Sequence, residues 1–169
     1  MKLTSSQAAK QLRQLNDELA AIRKREDSSN TFLAALGEDL ESARPEYSYD
    51  ESQAKQRELE LKIRKLKHAL NVFNATTVIP EYGITIDEML VLLPQLSCSL
   101  SRLSRMKDAL PKARESTPLS RSGNVIDYRY ANYDIKQAEA DYKKTSDELA
   151  KAQTALDLVN NTVEFEADF

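Results

Sequence analysis

Leu59, Ile63, Leu66, Leu70 and Phe73 recur at spacings of 4, 3, 4 and 3 within Glu51–Thr77. That spacing places five large apolar side chains on one stripe of a helix, and no strand would present them on one face. The remaining surface of this segment is basic: six Lys or Arg from Lys55 to His68 stand against Glu58 and Glu60. A helix with one apolar stripe must bury it against another helix. The rest of the chain supplies candidates.

From Thr4, Ala8, Leu12, Leu15, Leu19 and Ile22 follow the same spacing, with Thr4 or Ser5 placed to cap the first exposed N–H groups. The register passes through polar Glu26 and Ser29 and turns apolar again at Leu33, Leu36 and Leu40. Residues 4–42 therefore read as one long helix with a polar layer, or as two helices broken at Asp27-Ser28-Ser29-Asn30, residues that favour caps and turns. The surviving register favours one helix. Pro45 ends it, and Asp50 is a cap for the helix that follows.

Ala75–Gly83 is a connector with extended character and a turn at Pro80 and Gly83. Thr85-Ile86-Asp87-Glu88 is a capping box, with Asp87 adding negative charge where the helix dipole favours it. Beyond it Leu93, Leu96, Leu100, Leu103 and Leu110 carry a stripe onward, interrupted by Pro94, which predicts a kink or a split. Residues 111–124 are the most loop-like stretch. Val125–Tyr130 is β-branched and aromatic and reads as a strand or extended arm, pairing with Leu119–Arg121 through Ser122-Gly123 or with a partner subunit. A last helix runs from about Asp134 to Asn161 with Ile135, Ala138, Tyr142, Leu149, Ala152, Leu156 and Val159 in register. In the acidic tail, Phe165 and Phe169 dock on a neighbour or fray.

These segments predict an all-α fold. It is an antiparallel helical bundle with long coiled-coil-like helices and a short extended or hairpin segment before the last helix, forming a single domain over 1–169. Long hairpins leave apolar faces that a second copy would cover, so a homo-oligomer is expected.

The chemistry-bearing residues are few. Cys98 is alone, which excludes an intrachain disulfide and a cysteine-based metal site and fits a reducing, cytoplasmic setting. MKLTSSQAAKQ has no apolar run fit for a signal peptide, and no stretch is apolar enough to span a bilayer. His68 is the only histidine; it reads as a solvent-facing helix residue, and no Glu-x-x-His element supports a di-metal bundle site. Asp39 with Asp50 and Glu139 with Asp141 have no catalytic spacing. The chain thus reads as non-enzymatic, with no cofactor or metal. Its net charge of -3 argues against a general nucleic-acid binder. The basic helix faces still keep nucleic-acid or polyanion binding open as the alternative function. The residues nominated for such polar contacts are Arg64, Lys65, Asn71, Asn74, Arg102 and Arg105.

Leu66-x-x-x-Leu70-Asn71-x-x-Asn74-x-Thr76-Thr77, then Gly83-Ile84-Thr85-Ile86-x-Glu88-x-Leu90, and a final helix closing at Leu158-x-Asn160, resembles a family of short bacterial all-helical proteins sometimes labelled septicolysin. That family tends to carry an Ile-Asn-x-x-Asn-x-x-Thr segment, a Gly-x-Thr-Leu turn and an Asn-Trp near its end. Here Pro94 interrupts the third helix and no Trp follows Asn160. The resemblance implies a helical fold, and its label implies cytolysis. The charge of these helices gives that activity no support.

Overall fold

The computed structural model describes residues 1–114 and 127–169. Its helices are α1 (Ser5–Ser29), a single turn α2 (Leu40–Ala43), α3 (Tyr49–Thr76), α4 (Ile86–Lys107) and α5 (Ile135–Thr162). Among the described residues, six short strands flank them: β1 (Lys2–Thr4), β2 (Val78–Ile79), β3 (Ile84–Thr85), β4 (Lys112–Arg114), β5 (Tyr128–Tyr130) and β6 (Glu164–Glu166). All three strand pairs, β1–β6, β2–β3 and β4–β5, are antiparallel. The fold is mainly α-helical, as the apolar spacing requires.

Two compact units form, one from Met1–Thr77 with Leu158–Phe169 and the other from Val78–Asp157. In the first, α1 packs along α3. Its core gathers Leu3, Ala8, Leu15 and Leu19 with Leu59, Leu66 and Ala167, and Ile63, Leu70 and Phe169 pack against it. The tail docks on the neighbouring helix of its own unit. β6 pairs with β1 in the register Leu3↔Phe165, and the Phe165 ring stacks on Phe73 with centroids 4.7 Å apart. In the second unit Ile79, Ile86, Met89, Ala138, Ala152, Ala155 and Leu156 are buried.

Several expectations are corrected. Residues 4–42 are not one helix: α1 stops at Ser29, and Asn30 closes it by donating its N–H to the Glu26 carbonyl at 2.8 Å. The polar run that interrupts the stripe wins over the stripe's register. Gly37, at φ +88, lies outside helical space altogether. Leu33, Leu36 and Leu40 are consequently exposed. Ser48, not Asp50, occupies the cap position of α3, without a side-chain bond; Asp50 and Glu51 instead supply charge to its first turn. α4 runs unbroken through Pro94 and ends at Lys107, short of Leu110. The partner of Tyr128–Tyr130 is Lys112–Arg114. The expected partner Leu119–Arg121, the turn at Ser122-Gly123, and Val125-Ile126 lie outside the described residues.

The chain repeats one β–α–α–β plan. Thr4 and Thr85, 81 positions apart, each cap their helix in a capping box. Gln7 N–H donates to Thr4 Oγ1 at 3.3 Å, and Glu88 N–H to Thr85 Oγ1 at 3.2 Å. From these anchors Ala8, Leu12, Leu15, Leu19 and Ile22 align with Met89, Leu93, Leu96, Leu100 and Leu103. The returning helices α3 and α5 are both 28 residues long and start 86 positions apart. In that register the buried Leu66 and Phe73 align with the buried Ala152 and Val159. Thr76 Oγ1 donates to Val72 O at 2.8 Å, and its counterpart Thr162 Oγ1 to Leu158 O at 2.7 Å. Strand register agrees as well, since Leu3↔Phe165 and Ile84↔Ile79 join equivalent residues. The first strand of each half pairs with the last strand of the other.

Candidate functional site

Each half has one polar place that matters, where its first long helix ends and its second begins. In the first half this is Glu26. Its Oε1 accepts from Tyr47 Oη at 2.6 Å and from Gln53 Nε2 at 2.8 Å, and its Oε2 accepts from Gln56 Nε2 at 2.5 Å. Arg23 extends the network, donating from Nε to Gln56 Oε1 at 3.3 Å and pairing with Glu60 at 2.6 Å. The Tyr47 hydroxyl and then the Gln56 amide hold the Glu26 carboxyl below its ordinary range, outweighing desolvation. The same bond pushes the Tyr47 phenol up to about 12. A carboxylate with both oxygens occupied by donors has little basicity left for catalysis. What it does is tie the 30–48 connector back onto the helical pair.

The equivalent positions of the second half hold Lys107 for Glu26, Tyr133 for Tyr47 and Tyr142 for Gln56. Tyr133 Oη donates to the Met106 carbonyl at 2.8 Å. The Lys107 ammonium pairs with Asp108 at 2.7 Å and sits 5.1 Å from the centre of the Tyr142 ring. The hydrogen bond to Asp108, reinforced by its charge, holds the ammonium above its ordinary pKa despite partial desolvation. Lys107, Lys136, Glu139, Ala140, Tyr142 and Lys143 line an open cleft of about 510 Å³. One end of the plan is therefore built around a carboxylate whose oxygens are taken by donors, and the other is an open cleft lined by three lysines.

Of the residues nominated from sequence, Arg64 and Lys65 are exposed neighbours on α3, and Arg102 and Arg105 are exposed on α4. Arg102 shares a shallow hollow of about 260 Å³ with Gln95, Cys98 and Ser99, and Cys98 is exposed. Asn71 faces solvent, whereas Asn74 turns its Oδ1 inward. That oxygen is buried and meets no donor, and the same holds for Asn160 at the equivalent place in α5. Neither asparagine caps its helix; Thr77 N–H closes α3 on Phe73 O at 2.9 Å. His68 is exposed, and among the described residues no group of three His, Cys, Asp or Glu could hold a metal ion. Sequence reading saw Glu26 only as a gap in a stripe. The matching capping boxes at Thr4 and Thr85 are the signal that would have exposed the repeat and its unequal ends.

No family model matches the chain, and neither does any curated protein. Among solved structures, the fold is similar to a chain described as a functionally unknown conserved protein from Corynebacterium diphtheriae. The TM-score is 0.62 and the identity 16%, covering 98% of this chain and 100% of that one. At that identity the likeness defines a shared, mainly α-helical fold and nothing of its use.

Proposed function

We propose that this chain is a non-catalytic interaction protein that associates with copies of itself through apolar helix faces. The observation carrying this reading is the exposure of α4. In α1 the stripe residues Leu15 and Leu19 are buried; their α4 counterparts Leu96 and Leu100 are only half-buried. Where α1 places Ala9 and Lys10, α4 places Leu90 and Val91, 46% and 56% exposed. In the returning helix, Leu66 of α3 is replaced by Ala152 and Leu59 by Thr145. Fully burying a Leu or Val side chain is worth about 1.5–3 kcal/mol, so covering the exposed parts of Leu90 and Val91 favours association. Sedimentation velocity across micromolar concentrations tests the reading: association weakened by Leu90→Glu supports it, and a monomer at every concentration sinks it.

The exposed single thiol Cys98 supports a reducing, cytoplasmic setting as part of this proposal. No helix among the described residues is long and apolar enough to cross a membrane, and the cytolytic activity that the septicolysin resemblance implies is not part of the reading. Polyanion binding is the second reading, favoured by one feature. The Lys112 ammonium lies 4.1 Å from the Tyr128 ring centre and 5.4 Å from that of Tyr130, giving an exposed basic and aromatic surface. Salt-dependent binding of a short single-stranded oligonucleotide, lost on Lys112→Glu, would favour it.

A further inference from the structure

The segments joining the two long helices of each half are built of opposite materials. In the first half, Thr31–Ser48 displays Phe32, Leu33, Leu36 and Leu40; Leu33 and Leu36 are 98% and 108% exposed. The segment is nonetheless locally ordered. Glu38 Oε2 accepts from Ala35 N–H at 2.7 Å, Asp39 caps α2, and Arg44 pairs with Glu41 at 3.2 Å while lying 5.9 Å from the Phe32 ring centre. From Asn30 to Glu51 the carboxylates Glu38, Asp39, Glu41, Glu46, Asp50 and Glu51 face a single cation, Arg44. In the second half the β4–β5 ladder is continued by Ala131 N–H donating to Pro111 O at 3.1 Å. Tyr128 and Tyr130, two residues apart on one strand, lie on the same face with Lys112 against both rings. Arg105, Lys107, Lys112, Arg114 and Lys136 outnumber Asp108, Asp127 and Asp134 there.

We infer that these are two complementary docking surfaces: the acidic, leucine-bearing segment around Leu33 and Leu36 of one copy seats on the basic, tyrosine-bearing β4–β5 face of the next. The inference rests on the self-association reading and names a second contact for it. Four large apolar side chains within nine residues, exposed and held in a fixed local structure, find tyrosine rings as a matching surface. Carboxylates such as Glu46 and Asp50 meet Lys112 and Arg114, which sets orientation and excludes a like-with-like contact. The contact is heterologous, so each copy offers one surface of each kind and assembly proceeds head to tail. It is also salt-sensitive, because its charges are exposed and screened within about 10 Å at 0.1 M ionic strength.

Two double variants separate the surfaces. Leu33→Asp with Leu36→Asp disables the acidic segment at side chains open to solvent. Lys112→Glu with Arg114→Glu disables the ladder face. Circular dichroism and thermal midpoints confirm that each still folds. With Leu90→Glu added to both to remove the α4 contact, neither variant alone should associate, whereas an equimolar mixture should form a one-to-one heterodimer that does not extend. Raising salt from about 0.05 to 0.5 M should weaken that heterodimer about tenfold or more. A mixture that stays monomeric, or single variants that associate as the wild type does, overturns the inference. So does an oligonucleotide that binds the ladder face while the wild-type protein stays monomeric. Leu90→Glu distinguishes the two contacts. If it abolishes all association and the mixture forms nothing, docking fails and the α4 reading stands. If it changes nothing while the mixture forms its heterodimer, the α4 reading fails and docking stands.

Discussion

Glu26 and Lys107 stand at the same place in the two halves, at the end of the first long helix and facing the start of the second. Around Glu26, Tyr47, Gln53 and Gln56 supply the donors that a carboxylate needs. Around Lys107 the counterparts are Tyr133, Glu139 and Tyr142. Tyr133 spends its hydroxyl on a backbone carbonyl, and the place is left open beside Lys136 and Lys143. One plan, carried by the same caps and the same strand register, thus supports an end with a fully bonded carboxylate and an end with an open lysine-lined cleft. The plan resides in the stripes and caps; what each end can bind resides in the few polar residues between them.

The halves also differ in how well they fill their interiors, and that difference gives the largest predicted effect. Leu66→Ala, which makes the first half resemble the second at Ala152, should cost about 2–5 kcal/mol in urea denaturation. The reverse change, Ala152→Leu, should cost about 1–3 kcal/mol by overpacking a fully buried position. If Ala152→Leu were instead stabilising, the second half would be underfilled at that position.

The caps test the equivalence of the halves directly. Thr4→Ala and Thr85→Ala each remove the acceptor of one capping box and should each cost about 1 kcal/mol by thermal or chemical denaturation. Unequal losses would break the equivalence at its anchor.

The Glu26 end carries an acid and an alkaline pH signature, whereas the raised Lys107 ammonium gives the other end an alkaline one. Glu26 has a depressed pKa in the folded state, so its contribution to stability is present above the ordinary carboxylate value and is lost as pH falls through the depressed one. Tyr47 is raised from 10.0 to about 12. Its contribution is present below 10 and is lost as pH rises between those two values. Tyr47→Phe should therefore flatten the alkaline decline in urea midpoint, and Glu26→Gln the acidic one. A retained alkaline decline in Tyr47→Phe would place its origin elsewhere.

The smallest expected effect belongs to the paired asparagines. Asn74→Ala and Asn160→Ala each remove a buried oxygen that no donor meets, offsetting lost packing, so each should shift stability by less than about 1 kcal/mol in the same direction. A large loss at either would reveal a partner for that amide, and a loss at one alone would distinguish the halves again.

Much of the fold was legible residue by residue. The stripe from Leu59 to Phe73, the capping box at Thr85 and the last helix all follow from local periodicity and local capping, which need no partner to be recognised. The break at Ser29 was harder because two local signals disagreed: a register continuing to Leu33, Leu36 and Leu40 against a run of residues that prefer caps. The repeat was present in the letters but spread over Thr4, Thr85, Asn74 and Asn160, separated by 81 and 86 positions, and no single stretch displays it. Among the nominated site residues, Asn74 alone turned out to hold a buried group, since helix spacing tells which residues share a face but not which amide points inward.

By itself, then, the sequence determined which segments are helical, where two of them begin, and that each has an apolar side to bury. Those properties depend on neighbours three and four residues apart. The tertiary structure decided that β1 pairs with β6, that Phe165 stacks on Phe73, and that Glu26 gathers three donors while Lys107 leaves a cleft. Each of these joins residues far apart in the chain, where many pairings satisfy the same local pattern and only the packed whole selects one.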